Sequence, residues 1–240
     1  MIPILMYHQI GQPAPRGTPY RGLTVHPSSF RRQMTWMRRL GYRGLSMRDL
    51  LPYLQGSKRG KVFGITFDDG YVNVLENALP LLNELGFTST NYFVAGRFGG
   101  SNEWDRDNGV PASALMTQDQ AKAWVAGGQE AGSHTLDHVN LPDLSLADAS
   151  DQIRRSRQIL EDVLDCEVTS FCYPYGHESP ELRHMVRDAG YTNATTTSGG
   201  LAGQQDDVFG LPRVTVARST HMLRFLQKCL TRLEEKRRHA

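Results

Sequence analysis

Cysteine is scarce in this chain. Three are present among 240 residues, Cys166, Cys172 and Cys229, an odd set with no CxxC pair, which excludes a disulfide-stapled scaffold and a thiolate metal site. Long apolar runs are lacking as well. The longest, such as Met1 to Met6, are strand-length and far short of the roughly 18 residues a membrane-spanning helix needs. The start has neither the basic stretch nor the apolar core of a secretory signal, because Met1-Ile2-Pro3-Ile4 soon gives way to polar turn residues. As written, the chain reads as cytoplasmic, or as extracytoplasmic if a leader has been removed. No charge of one sign prevails: 27 Lys and Arg against 25 Asp and Glu leave a net +2, which gives no footprint for a nucleic-acid partner. No GxSxG, no GxxxxGK[ST] and no GxG occurs, which removes the usual signals of serine hydrolases, P-loop nucleotide hydrolases and dinucleotide-binding oxidoreductases.

What is present is an ordinary folded composition, 39% hydrophobic and 22% charged, unlike collagen, coiled coils or disordered chains. Apolar periodicity predicts strands alternating with helices. Strands are expected over Ile2 to Tyr7, Lys61 to Phe67, Ser89 to Val94, Gln129 to Ser133, Val168 to Tyr173, Tyr191 to Thr196 and Leu211 to Val216. Helices are expected from a cap at Ser28 or Ser29 to Leu40, after Ser46, from Tyr71 to Leu85 despite Pro80, and over Gln118 to Ala126 and Leu146 to Leu164. Another opens at Ser179-Pro180 and runs to Ala189. The last segment, Thr220 to Arg238, reads as one basic helix with six cations against Glu234 and Glu235, most simply a solvated face whose charges suit the helix dipole, or else a contact for an anionic surface. No linker-like shift breaks this alternation, so residues 1–240 read as one α/β domain, a parallel barrel wrapped by helices.

Two features carry chemistry. In Thr66-Phe67-Asp68-Asp69-Gly70 two adjacent acids stand where an apolar strand ends, the edge at which parallel α/β folds bind ligands. One carboxylate there can hold a metal while its neighbour handles a proton; equally, the pair can cap the following helix. In Ser133-His134-Thr135-Leu136-Asp137-His138 two imidazoles four residues apart can converge on one ion. With one carboxylate they make a two-histidine, one-acid set with open positions, suited to zinc or a similar divalent ion.

Together, TFDDG, SHTxxH and the later Phe171-Cys172-Tyr173-Pro174-Tyr175-Gly176 resemble, in order, the motifs of the polysaccharide deacetylases, carbohydrate esterase family 4, which share the NodB homology domain. The opening Pro3-Ile4-Leu5-Met6-Tyr7-His8 is similar to the permuted branch that includes poly-N-acetylglucosamine deacetylases. The resemblance runs from His8 to about Arg213. It implies a distorted (β/α) barrel and a hydrolase that releases acetate from the N-acetylglucosamine of a poly- or oligosaccharide. It also implies Zn2+, or another divalent metal such as Co2+ or Ni2+, on Asp69, His134 and His138. Asp68 would be the base that takes a proton from the attacking water, and the Tyr175 backbone N–H would donate to the oxyanion.

Two departures matter. The family's third motif commonly places an arginine where this chain has Cys172; Arg213 is the candidate replacement, or else an ordinary strand-end arginine. The late histidine expected as general acid has no clear match. His8 is the candidate, as its counterpart serves in the permuted branch, with His221 as fallback. Trp104, beside Asp105 in the long polar loop, and Pro174 with Tyr175 are candidates for shaping the sugar site; Trp104 and Tyr20 can equally be loop anchors. His26, His177, His184 and His239 stand in no ligand spacing. Alternative functions are a deacylase for a small amide (glycolipid, nucleotide sugar or cyclic ureide) on the same barrel, and a non-catalytic glycan-binding module.

Overall fold

In a computed structural model, which describes residues 1–238, the alternation expected from periodicity is present. The first part of the chain supplies β1 (Ile4–Tyr7), β2 (Gln9–Ile10), β3 (Thr24–Val25), α1 (Pro27–Arg39), β4 (Arg43–Leu45) and α2 (Met47–Leu54). Then come β5 (Val62–Phe67), α3 (Val72–Asn77), α4 (Leu79–Leu85), β6 (Thr90–Phe93), α5 (Gln118–Ala126) and β7 (Glu130–Ser133). The last part adds α6 (Leu146–Leu164), β8 (Ser170–Cys172), α7 (Pro180–Asp188), β9 (Asn193–Gly199), β10 (Leu211–Thr215), α8 (Met222–Leu230) and α9 (Leu233–Arg238).

Seven of these strands close a parallel barrel in the order β1-β10-β9-β8-β7-β6-β5, and β1 pairs back onto β5. Leu5 is therefore in register with both Val214 and Ile65, while β4 adds outside on β5. Strands covered on both faces need no polar alternation, which is why β5 is buried at every residue. Because all the pairings are parallel, every strand delivers its following residue to one barrel edge. His8, Asp68, His134 and Tyr173 leave the barrel there.

Local chemistry explains where the elements differ from expectation. α1 begins at Pro27, not after Ser28 or Ser29, because His26 caps it: its Nδ1 accepts from Ser28 N at 3.2 Å. The expected helix from Tyr71 to Leu85 is two, parted at Ala78. Pro80 sits in the first turn of α4, where its missing N–H costs nothing, whereas mid-helix it would remove a hydrogen bond. The basic C-terminal segment is also divided, since Thr231 takes an extended backbone (φ −125°, ψ 170°) after α8. The side chains of Lys236, Arg237 and Arg238 and the whole of His239 lie outside the described residues.

The barrel interior is polar near the start of its strands. Glu130 accepts from Ser170 Oγ and Thr90 Oγ1, both at 2.6 Å, and from Arg48 N at 2.9 Å in the first turn of α2. A buried carboxylate thus has its lone pairs satisfied, as burial of charge requires. No helix among the described residues is long and apolar enough to cross a membrane.

Candidate active site

β5 still pairs through Asp68, whose N–H donates to Tyr7 O at 3.0 Å. The chain then turns sharply through two left-handed residues, Asp69 (φ 75°) and Gly70 (φ 77°). That turn separates two neighbouring carboxylates and explains why a glycine follows them. A Cβ on residue 70 would lie 2.8 Å from Phe93 Cδ1.

Asp68 faces Arg213, which is wholly buried in β10. Arg213 Nη1 donates to Asp68 Oδ1 and Nη2 to Oδ2, each at 2.7 Å. The remaining guanidinium contacts are Nε to Thr196 O at 2.8 Å, Nη1 to Thr66 Oγ1 at 3.0 Å and Nη2 to Cys172 Sγ at 3.2 Å. With five partners for five N–H bonds, the fork has a single orientation. Burial works against ionisation of Asp68, but the charge and hydrogen bonds of Arg213, helped by His8 and His134, outweigh it and hold the carboxyl below its usual value. Of the two readings of Arg213, an ordinary strand-end residue does not fit these contacts.

Asp69 faces the histidine pair. His134 Nε2 and His138 Nε2 stand 3.5 and 3.4 Å from Asp69 Oδ1, all three side chains being buried. His134 Nδ1 lies 2.8 Å from the Cys172 carbonyl, which can only accept, so that nitrogen carries the proton and Nε2 offers a lone pair. Asp69 Oδ1 and His138 Nδ1 have no hydrogen-bond partner among the described residues. The three ligand atoms lie within 4.8 Å of one another. An unpartnered buried carboxylate oxygen ringed by imidazole nitrogens fits a divalent cation: the electron pairs converge, and the set leaves further positions to the cleft. Burial opposes ionisation of Asp69 too, yet the contact with His138, with His8 and His134 beyond, holds its carboxyl well below the usual range.

The turn from His134 to His138 uses left-handed Thr135 (φ 64°) and His138 (φ 58°), with Thr135 Oγ1 accepting from His138 N at 3.0 Å. Trp104, on a short 3₁₀ helix over Glu103–Asn108, stacks on the His138 ring at 4.4 Å and 15°. Tyr175 meets the same ring edge-on at 4.9 Å. One face of the indole is therefore occupied by a ligand-set histidine rather than open to solvent. Tyr175 is itself left-handed (φ 61°), is 41% exposed, and its carbonyl accepts from Thr197 Oγ1 at 3.0 Å. Pro174 before it is buried.

A cleft of about 250 Å³ opens over these groups, bordered by His8, Tyr20, Trp104, Asp105 and Tyr175 as well as both acids. His8 Nε2 is 4.0 Å from Asp68 Oδ2. His221 stands elsewhere. Its Nδ1 accepts from Arg224 N at the start of α8, and it borders a separate hollow with Arg32 and Gln33. His26 caps α1 and His177 Nδ1 lies 3.0 Å from Asn140 Oδ1.

Tyr71, the first residue of the helix that periodicity predicts, precedes α3 instead and borders the cleft. Burial, then the charges of Asp69 and Asp105, push its phenol up. Cys172, noted for what it replaces, touches the Asp68–Arg213 pair: its Sγ lies 3.8 Å from Asp68 Oδ2. Burial pushes its thiol up as well, so it stands there as a neutral S–H. Only the place of Cys172 in the third motif pointed to it.

The chain is similar to known proteins in sequence and in fold. The polysaccharide deacetylase family model matches residues 55–194, a stretch that includes Asp68, Asp69, His134, His138 and Tyr175 but neither His8 nor Arg213. A poly-β-1,6-N-acetyl-D-glucosamine N-deacetylase of Staphylococcus aureus (strain MRSA252) is 22% identical over 204 residues, covering 82% of this chain and 69% of that protein. The deacetylase PplD of Streptococcus pyogenes, solved in complex with acetate, superposes with a TM-score of 0.82 at 26% identity, covering 95% of this chain and 97% of that one. A polysaccharide deacetylase from Bacillus cereus gives a TM-score of 0.79 at 25% identity, covering 95% of this chain and 68% of the other. With its closed seven-stranded barrel and an Asp–His–His group fit for an ion, the chain belongs to the polysaccharide deacetylase family.

Proposed function

We propose that this protein hydrolyses the N-acetyl groups of an N-acetylglucosamine-containing poly- or oligosaccharide, releasing acetate and a free amine. The observation that carries the reading is the pair of carboxylates parted by one turn, Asp68 clamped by Arg213 and Asp69 facing His134 and His138. The named activity of the Staphylococcus relative supports a glycan amide as substrate.

Asp69, His134 and His138 would hold the ion, and zinc suits one carboxylate with two imidazoles. When bound, such an ion lowers the pKa of water and polarises the amide carbonyl. Asp68 accepts the proton of the attacking water. Arg213 keeps that carboxylate ionised and aims it, so the base does not have to reorient as the proton moves. The Tyr175 backbone N–H donates to the carbonyl oxygen as it gains charge. His8, whose Nε2 is 4.0 Å from Asp68 Oδ2, gives a proton to the departing nitrogen. Trp104, Pro174 and Tyr175 shape the wall against which the sugar lies.

The test is acetate release from β-1,6- and β-1,4-linked N-acetylglucosamine oligomers and from a monomeric N-acetyl conjugate, with zinc-loaded protein and Asp68→Asn and Asp69→Asn controls. Turnover of oligomers lost in both variants supports the reading. Activity confined to the monomeric conjugate would shift the substrate to a small amide. Glycan binding without turnover would make the protein a binding module.

A further inference from the structure

Half of the large apolar side chains exposed among the described residues lie on one wall of the barrel, away from the cleft: Trp36 (43%), Leu40 (36%), Leu223 (65%) and Leu230 (41%). They belong to α1, with its C-cap Leu40, and to α8. These helices lie side by side and point the same way. Gln33 Nε2 of α1 donates to Thr220 O at the start of α8, and Tyr42, just past α1, borders the same hollow as Leu230 at the end of α8.

Helix geometry makes one seam of these residues. In α1, Phe30, Met34 and Met37 face the core, and at about 100° per residue Trp36 and Leu40 fall on the flank toward α8. In α8, Phe225 and Cys229 face the core, so Leu226 and Leu230 fall toward α1, with Leu223 beside them on the outer side. The other flank of α1 is engaged with α4, where Arg31 pairs with Glu84 and Arg38 donates to Leu85 O.

Cations rim the seam. Arg32 and Arg39 on α1, Arg218 before α8 and Arg224 on it lie beside the apolar residues, with Arg39 lying 5.8 Å over the Trp36 ring, while the acid that approaches α8 from α9, Glu234, is 3.7 Å from Lys228. Neither helix contains an Asp or Glu, nor does the segment from Val216 to His221 between β10 and α8. A second copy of this chain is a poor occupant, since a self-complementary contact would set arginine against arginine with no acid to pair. A surface bearing phosphate groups over an apolar layer complements both features at once: leucine and tryptophan enter the boundary while guanidinium groups hold the headgroups.

We propose that the α1/α8 seam docks the protein on an anionic lipid surface. None of its residues borders the cleft, so the docked protein keeps its site open to a polymer. The claim does not depend on the reaction assigned to the cleft.

The test is co-sedimentation of the full chain with phosphatidylglycerol:phosphatidylcholine vesicles and with phosphatidylcholine alone. Wild type is expected to sediment with the anionic vesicles only, less so at high salt, and Trp36 fluorescence to shift to the blue on binding. Trp36→Ala with Leu223→Ala should weaken binding at least tenfold, and Arg32→Gln with Arg39→Gln and Arg224→Gln should do the same. Trp36→Phe should retain binding. Acetate release and melting temperature of each variant, read alongside, separate loss of docking from loss of folding. No wild-type binding, or equal binding by the variants, would overturn the proposal. So would a wild-type dimer in sedimentation velocity that the apolar double variant abolishes, because the occupant would then be a second copy.

Discussion

Arg213 and Asp68 are 145 residues apart in sequence, yet two parallel hydrogen bonds of 2.7 Å join them inside the barrel. Each closes the other's buried charge. A buried pair is costly to leave half made, because the surviving charge has lost both water and partner.

Arg213→Leu should therefore lower unfolding free energy by about 3–5 kcal/mol and abolish measurable acetate release. Arg213→Lys keeps the charge without the fork and should regain part of the stability, but fall well short of wild-type kcat. Urea denaturation and steady-state kinetics on the same preparations check both. Wild-type kcat in Arg213→Lys would remove Arg213 from the proposed site.

The same pair gives a pH dependence. The folded value of Asp68 lies below the ordinary 3.8, so its contribution is complete above the unfolded value and is lost as pH falls toward the folded one. The stability advantage of wild type over Asp68→Asn should be full at pH 6 and shrink below about pH 4. Denaturant titrations across that range measure it, and an advantage that grows on acidification would contradict the assignment.

Ion binding provides a third expectation. Wild-type protein equilibrated with zinc and desalted should retain about one ion per chain, and Asp69→Asn or His138→Ala should retain none by elemental analysis. Trp104→Ala should weaken zinc affinity by about ten- to hundredfold through loss of the stack on His138, as supporting contacts around metal ligands typically do. Trp104→Phe should largely restore it. Unchanged affinity in Trp104→Ala would leave the indole a role in the cleft wall alone.

Gly70 tests the turn. Gly70→Ala must place a Cβ at φ 77° and against Phe93 Cδ1. It should cost about 1–3 kcal/mol and reduce zinc retention, since Asp69 turns with it. Thermal melts with elemental analysis read the two effects, and a stability equal to wild type would refute the strain.

Much of this is legible in the sequence itself, and the reason is local. Asp68-Asp69 and His134/His138 are close in sequence, so strand ends and turn glycines advertise them together. The partner of Asp68 is not advertised that way. No spacing links Arg213 to a carboxylate in another strand, and only the vacancy created by Cys172 in a familiar motif pointed to it. Helix boundaries failed where the decisive bond is a side chain on backbone, as at His26, or where a proline marks a beginning rather than an interruption, as at Pro80. Tyr71 escaped notice because nothing in the sequence tells the residue before a helix from its first residue.

The closure of the barrel through β1 has a consequence for how the chain becomes itself. During synthesis β1 emerges first, but its two neighbours are β5 and β10, and the second of these is the last strand made. Until Val214 is available beside Leu5, the sheet has two open edges, so sealing is a late and long-range step of the slow, high-contact-order kind. The same event brings Arg213 to Asp68. A ribosome-bound chain that stops short of β10 holds an unsealed sheet and an unclamped carboxylate, and both are remedied together when the final strand arrives.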